Sequence, residues 1–278
     1  MKVLVSTDGS AVSWTAAAHA ARFARVAGAD LVFTRILDPL IDVGSVLDVD
    51  LKAAVAKVAA EWRSSLEAEI TRRGYSGEAR IDILTRGTDI HDALIAAAAD
   101  TGAGLIAMHS RGHGALRHAI LGSVAMGVLG RTTLPLMVTG AAVADPDAGD
   151  GYRIALMSDG SDAATSIANA VATLIAGTPI ALSLGQCVDG KVTPASAEAH
   201  LGELRALFPA DMQAEIVSHE RPPKQDLPDA IVAAATEVGA QAIALSSQGH
   251  GALRHLIAGS VALDVVSRSP LPVILARA

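Results

Sequence analysis

Cysteine and aromatic residues are scarce in this chain of 278 residues. The single cysteine, Cys187, cannot form an internal disulfide bond. Three Phe, two Tyr and two Trp are too few for a domain that stacks nucleic-acid bases on aromatic rings. The formal net charge of −7 also disfavours general binding to nucleic acid or to anionic membranes, which attract basic surfaces. We therefore expect no nucleic-acid partner.

The sequence also lacks a long apolar run, although 51% of its residues are hydrophobic and its mean hydropathy is +0.39. A membrane-spanning helix needs about 20 consecutive apolar residues. Residues 93–108 are interrupted by Asp100, and residues 119–130 are too short and rich in glycine. The first ten residues are not followed by the hydrophobic segment of a signal peptide. These features predict a soluble, cytoplasmic protein with no membrane partner.

An internal repeat determines the predicted domain organisation. Residues 109–141 and 246–278 align without a gap and are identical at 18 of 33 positions, including the blocks GHGALRH and GSVA. The two halves also open alike, with VLVSTDGS at 3–10 and IALMSDGS at 154–161. A gene duplication explains both matches. We predict domains at 1–141 and 152–278, joined by a linker at 142–151 that is rich in Gly, Ala, Asp and Pro.

Short apolar runs alternate with Ala-rich helical segments within each half. In the first half we predict strands at 2–6, 31–37, 80–85, 104–109 and 135–139, and helices at 11–27, 51–73, 89–101 and 122–131. The strand segments are apolar without strict polar alternation, which is typical of strands buried on both faces. This alternation predicts an α/β fold with a parallel sheet, in which ligands bind at the carboxyl ends of the strands.

Two loops at those strand ends carry polar residues and glycines in both halves. Asp8 and Asp159 follow the first strand, where a carboxylate can accept hydrogen bonds from a ribose or an adenine amino group. The alternative is that they only shape the turn and cap the next helix. After the fourth strand, glycines let a ligand approach the backbone, and a serine begins the last helix, so this loop can hold a phosphate. Its residues are Gly112, Gly114, Gly122 and Ser123 in the first half, and Gly249, Gly251, Gly259 and Ser260 in the second.

These motifs together resemble the universal stress protein family: the DGS after the first strand, the Gly-x-Gly loop, the Gly-Ser helix start and the closing Leu-Pro-aliphatic strand. The resemblance covers nearly the whole chain, as two tandem domains. It implies two Rossmann-like domains of the adenine nucleotide alpha hydrolase-like type. Each would be a five-stranded parallel sheet of order 3-2-1-4-5 with helices on both faces. The resemblance also implies binding of ATP or AMP, with or without Mg²⁺, through a motif written Gly-x2-Gly-x9-Gly-Ser/Thr.

The family's binding residues are carried over onto the matching positions of this sequence. The resemblance implies that an aspartate contacts the sugar or base, that an aliphatic residue lines the adenine pocket, and that another residue precedes the phosphate loop. These are Asp8, Ile36 and Met108 in the first half, and Asp159, Leu184 and Leu245 in the second. The phosphate motif falls on Gly112, Gly122, Ser123 and Val124, and on Gly249, Gly259, Ser260 and Val261. Its first glycine is replaced by His109 and by Ser246. Because serine is small, we expect the second half to keep the better site.

The sequence therefore predicts a stress-response protein that binds an adenine nucleotide as a regulatory signal. We expect no catalytic residues, because no nucleophile–base–acid set appears, and at most slow ATP hydrolysis. We expect no metal site, because the clustered histidines at 109, 113 and 118 show no convergent geometry. The alternative is a non-nucleotide interaction module whose degenerate loops serve folding and partner docking. We expect the halves to form an intramolecular pseudo-dimer by pairing their last strands, 135–139 and 272–276; a homodimer of chains is a further alternative.

Overall fold

The computed structural model describes residues 1–43, 51–110, 121–189, 192–248 and 258–277. The first half consists of β1 (Lys2–Ser6), α1 (Ala11–Ala27), β2 (Asp30–Leu37), a π-helical turn (Pro39–Val43), α2 (Leu51–Arg72), β3 (Gly77–Ile83), α3 (Ile90–Thr101), β4 (Ala103–His109), α4 (Ser123–Leu129) and β5 (Leu136–Thr139). The second half consists of β6 (Arg153–Ser158), α5 (Asp162–Ile175), β7 (Ala181–Val188), α6 (Pro194–Arg205), β8 (Ala214–Glu220), α7 (Leu227–Glu237), β9 (Ala242–Ser246), α8 (Ser260–Arg268) and β10 (Val273–Ala276).

All strands and helices predicted for the first half are present, with ends displaced by at most three residues. The start of α1 follows from its cap, because the Ser10 side chain accepts a hydrogen bond from the backbone N–H of Ser13. Gly28 ends this helix in the left-handed conformation, with a φ of 63°, which favours glycine. The third helix begins one residue later than predicted, because Asp89 is its N-cap rather than its first residue.

The ten strands form one sheet in the order β3-β2-β1-β4-β5-β10-β9-β6-β7-β8. Each half contributes five parallel strands in the predicted order 3-2-1-4-5. The last strands of the two halves, β5 and β10, pair antiparallel through Leu136 to Leu275, Met137 to Ile274 and Val138 to Val273. The expected pairing of the last strands is therefore present within one chain, and it covers an edge that each half would otherwise expose.

Both faces of the sheet are buried under helices. In β1, Val3 and Val5 belong to the core on one face, while Leu4 belongs to the core on the other, and all three are 0% exposed. Each of these cores contains residues from both halves, such as Val3 together with Ile154 on the first face. This shared burial explains the high hydropathy of the sequence. No helix among the described residues is long and apolar enough to cross a membrane.

The segment between the halves is attached to α1. His19 Nε2 lies 2.8 Å from the carbonyl oxygen of Ala144. Arg25 donates to the carbonyl oxygen of Gly149 and forms an ion pair with Asp150. Burial lowers the pKa of His19, although the hydrogen bond to Ala144 opposes this shift. The predicted linker is thus held against the first half by a neutral, buried imidazole and by arginine side chains.

Candidate functional site

A cavity of about 840 Å³ opens at the carboxyl ends of β1, β2 and β4, a volume typical of small-molecule sites. Six of the residues predicted from the sequence line it together: Asp8, Ile36, Met108, Gly122, Ser123 and Val124. They come from the end of β1, the end of β2, the end of β4 and the start of α4. The parallel topology brings these four chain segments to the same end of the sheet.

The strand-1 aspartates shape their loops in both halves. Asp8 Oδ1 accepts hydrogen bonds from the backbone N–H of Ser10, at 2.9 Å, and from its hydroxyl. Asp159 Oδ1 accepts the equivalent bonds from Ser161, at 3.0 and 2.6 Å. Asp8 is half-buried at the cavity wall, whereas Asp159 is exposed. The turn-shaping role considered in the sequence analysis is therefore realised in both loops, and Asp8 also faces a cavity.

The glycine that precedes the last helix is held in the same way in both halves. The backbone N–H of Gly122 donates to the carbonyl oxygen of Ser110, and that of Gly259 donates to Ser247, both at 2.6 Å. Ser260 and Val261 then open α8 as Ser123 and Val124 open α4. The remaining predicted glycines, Gly112, Gly114, Gly249 and Gly251, lie outside the described residues.

The side chains at the altered first-glycine positions make local contacts. His109 lines the cavity, and its Nδ1 lies 2.9 Å from the hydroxyl of Thr139 on β5. In the second half, the hydroxyl of Ser246 donates to the carbonyl oxygen of Gln248 at 2.5 Å. Leu245, predicted to precede the phosphate loop, is only 6% exposed, as is Met108. One ring nitrogen of His109 is thus turned towards β5.

Arg35 lies between the loop that follows β1 and helix α2. The central carbon of the Arg35 guanidinium is 3.5 Å from the centre of the Trp62 ring, within the range of a cation–π contact. Its other side faces Gly9, where a Cβ atom would lie 3.4 Å from Arg35 Nη1. Burial lowers the pKa of Arg35, and the carboxylates of Asp42 and Asp8 oppose this shift. The guanidinium therefore stays charged and holds the β1 loop, β2 and α2 together at the cavity.

The described wall of the cavity is acidic. Asp8, Asp38, Asp42 and Asp89 all line it, and Arg35 is the one Lys or Arg among its described lining residues. A polyanionic ligand would be repelled by this wall unless cations accompanied it. The charge of the site is therefore a constraint on which ligands it can take and on what must bind with them.

The prediction that Leu184 corresponds to Ile36 is wrong. In the repeat, Val5 of β1 matches Leu156 of β6; Val5 pairs with Phe33, and Leu156 pairs with Leu184. Leu184 therefore corresponds to Phe33, and it is fully buried on the opposite face of the sheet from Ile36. The residue at the position of Ile36 is Cys187, three places further along β7. Because side chains alternate between the faces, an odd shift in register moves a residue to the other face.

Known proteins share this architecture. Residues 1–140 and 153–277 each match the model of the universal stress protein family. The chain belongs to this family. A universal stress protein from Archaeoglobus fulgidus DSM 4304 shares the fold with a TM-score of 0.64 and 21% identity, covering 99% of this chain and 96% of that one. A putative universal stress protein from Pseudomonas aeruginosa UCBPP-PA14 gives 0.53 and 18%, covering 99% and 92%. A search of curated proteins found no match.

Sequence reasoning missed two side chains at the cavity of this universal stress protein. Arg35 is the only basic residue of β2, and Trp62 is one of only two tryptophans, so both were visible as unusual residues. Nothing in the sequence indicated that they meet, because one is on a strand and the other is midway along α2. In the second half Gln186, 4% exposed, replaces Arg35 and lies beside Gly160.

Proposed function

We propose that this universal stress protein binds an adenine nucleotide, ATP or AMP, in the cavity of its first half. The observation that carries the proposal is that six residues, implied independently by the family motif, line one cavity of about 840 Å³. They include the aspartate, the aliphatic residues and the helix start that a nucleotide requires. The volume also suits a ligand of this size.

The lining residues divide by chemistry. Ile36 and Met108 give an aliphatic slot for the base. Trp62 is the one Phe, Tyr or Trp among the described lining residues, and Arg35 already covers its ring. Asp8 faces the same space and can accept a hydrogen bond from a ribose hydroxyl. Ser123 and Val124, at the start of α4, are the described residues closest in role to the phosphate-binding end of the family motif.

The cavity also favours the first half over the second, which reverses the expectation based on Ser246. In the second half the position of Ile36 is taken by Cys187, the position of Arg35 by Gln186, and the aspartate Asp159 is exposed to solvent. The candidate residues that the second half retains are Leu245, Gly259, Ser260 and Val261. We propose one principal nucleotide per chain, with a regulatory rather than a catalytic role.

The competing function is a stress-response interaction module without nucleotide. Two observations favour it: the aspartates of both loops bond to their own serines, and the described wall of the cavity is acidic. In this case the two loops would only stabilise the fold, and the protein would act by binding partners at its surface rather than a nucleotide in the cavity.

Isothermal titration of the full chain with ATP, ADP and AMP separates the two functions. Ile36→Trp fills the cavity, and Cys187→Trp is the matched control at the same register position of the second half. We expect one nucleotide per chain, binding at least tenfold more weakly to Ile36→Trp and unchanged for Cys187→Trp. Absence of binding to the wild type at millimolar nucleotide would support the interaction module. A loss with Cys187→Trp alone would refute the assignment to the first half.

Phosphate release measures the regulatory part of the proposal. Incubation of the protein with ATP should release no more phosphate than a control without protein over several hours. Sustained release above that control, abolished by Ile36→Trp, would identify an ATP-consuming enzyme instead.

A further inference from the structure

Three metal-ligating side chains meet at the start of α3. Asp89, His91 and Asp92 each offer one ligand atom, and these atoms all lie within 4.8 Å of one another. Asp89 also lines the cavity of the first half. The histidines that the sequence analysis considered for a metal are elsewhere in the chain, so this cluster is a different group of residues.

The local fold fixes the imidazole of this cluster. Asp89 is the N-cap of α3, and His91 and Asp92 lie in its first turn. The His91 ring packs over Gly127 of α4, where a Cβ atom would lie only 2.7 Å from Nδ1. Its Nε2 is buried and lies 3.1 Å from Asp89 Oδ2, but without the geometry of a hydrogen bond. Buried polar atoms normally have a hydrogen-bond partner, so this nitrogen requires an explanation. A metal ion bound between the nitrogen and the carboxylate would provide one.

The second half contains the same two carboxylates and places a cation between them. Asp226 and Asp229 correspond to Asp89 and Asp92 in the repeat. There the Arg268 guanidinium nitrogen Nη1 lies 2.5 Å from Asp226 Oδ2 and 3.1 Å from Asp229 Oδ1. The position therefore accommodates a positive charge, although it lies at a helix N-terminus, where the helix dipole disfavours cations.

The first half has exchanged that internal cation for an imidazole. Its equivalent arginine, Arg131, lies 3.5 Å from Asp92 and donates a hydrogen bond to the carbonyl oxygen of Gly127. His91 stands where the second half has Pro228, and Gly127, which makes room for the ring, stands where the second half has Asp264. These substitutions remove the guanidinium from between the carboxylates and add a nitrogen ligand beside them.

We propose that Asp89, His91 and Asp92 bind a divalent transition-metal ion at the rim of the first-half cavity. Imidazole with carboxylates suits ions such as Zn²⁺, whereas Mg²⁺ prefers oxygen ligands alone. Three protein ligands leave a coordination position open to water or to a ligand in the cavity. Tetrahedral ligands of Zn²⁺ lie about 3.3 Å apart, so the exposed carboxylates of Asp89 and Asp92 rotate inwards on binding.

The proposal is independent of nucleotide binding, and its test uses no nucleotide. The full chain, freed of metal by a chelator, is titrated with Zn²⁺ and separately with Mg²⁺. The chain has nine histidines, any of which can bind Zn²⁺ weakly. The readout is therefore the difference in bound Zn²⁺ between the wild type and each variant. His91→Phe replaces the imidazole with an aromatic ring that has no nitrogen atoms. Asp92→Asn replaces an exposed carboxylate ligand with a neutral amide. Asp229→Asn is the matched control in the second half.

We expect both first-half variants to lose one Zn²⁺ per chain, or to bind it at least tenfold more weakly, while Asp229→Asn binds as the wild type does. Mg²⁺ should not compete for the site. Equal Zn²⁺ stoichiometry and affinity in all four proteins would overturn the proposal, as would a loss of the same size in Asp229→Asn. If His91→Phe fails to fold, Asp92→Asn gives the same decision.

A gain-of-site variant provides the converse test. Pro228→His combined with Asp264→Gly and Arg268→Ala gives the second half an imidazole, the room that Gly127 provides in the first half, and carboxylates without the guanidinium. We expect it to bind one more Zn²⁺ than the variant with Asp264→Gly and Arg268→Ala alone. An unchanged stoichiometry would show that the carboxylate pair with an imidazole is insufficient and would count against the proposal.

Discussion

The junction between the halves can be tested at Gly140, which follows β5 and is buried. A Cβ atom at this position would lie 1.9 Å from the carbonyl oxygen of Val266 and 3.1 Å from its carbonyl carbon, both in the backbone of α8. A helix backbone cannot rotate away as a side chain can, so Gly140→Ala must separate α8 from β5 by roughly 1 Å. Overpacking of this kind costs about 3 kcal/mol of unfolding free energy, equivalent to a fall of about 6–12 °C in melting temperature for a chain of this size.

Thermal unfolding of the full chain, followed by circular dichroism, measures the effect. Gly151→Ala is the control, because nothing lies within 4 Å of its Cβ position and its φ is not positive. We expect the control to be neutral or stabilising by up to about 1 kcal/mol, since alanine restricts the unfolded chain. If Gly140→Ala melts at the temperature of the control, α8 does not pack on the end of β5 as described, and the arrangement of the two halves is refuted.

Three further predictions concern single side chains. Burial in the folded state lowers the pKa of His19 below its ordinary value of 6.5. The unfolded chain therefore binds a proton more readily, and the free energy of unfolding should fall as the pH drops below about 6.5, with a smaller fall in His19→Gln. Burial also lowers the pKa of His219, which accounts for part of the remaining pH dependence. Equal pH profiles for wild type and His19→Gln in urea unfolding would contradict this assignment. Burial raises the pKa of Cys187 to about 11, so at pH 8 it should react with a disulfide reagent roughly 100-fold more slowly than a free thiol; a fast reaction of the folded protein would refute its burial. Arg35→Gln copies Gln186 of the second half and should weaken the binding of ATP more than the binding of adenosine, as measured by isothermal titration. Equal losses of affinity for the two ligands would show that the charge of Arg35 does not act on phosphate.

The topology was accessible from the sequence because a duplication and a strand–helix alternation were both strong signals. The pairing of β5 with β10 followed from the need to cover two equivalent apolar edges. Both predictions depend on many residues at once, so an error at any single position has little effect on them.

The details of the site were less accessible because they depend on single positions. In β7 the apolar Leu184 lies between Ser183 and Gly185, so hydrophobicity points to the leucine as the pocket-lining residue. Only the pairing with β6 assigns Cys187 to that position. Arg35 and Trp62 meet only through the packing of α2 on the sheet. In the sequence, Asp89 and Asp92 are ordinary acidic residues at the start of a helix, and only the ion pairs of Arg268 in the second half set them apart.

The antiparallel contact between β5 and β10 also sets the directions of the two halves. Because the strands within each half are parallel, their carboxyl ends point to opposite ends of the ten-stranded sheet. The cavity of the first half and the equivalent strand ends of the second half therefore face away from each other, and no single small molecule can touch both. In a symmetric pair of identical chains, every substitution would appear at both ends. A fused chain is free of that constraint, so one end can specialise while the other diverges, as Ile36 and Cys187 already show.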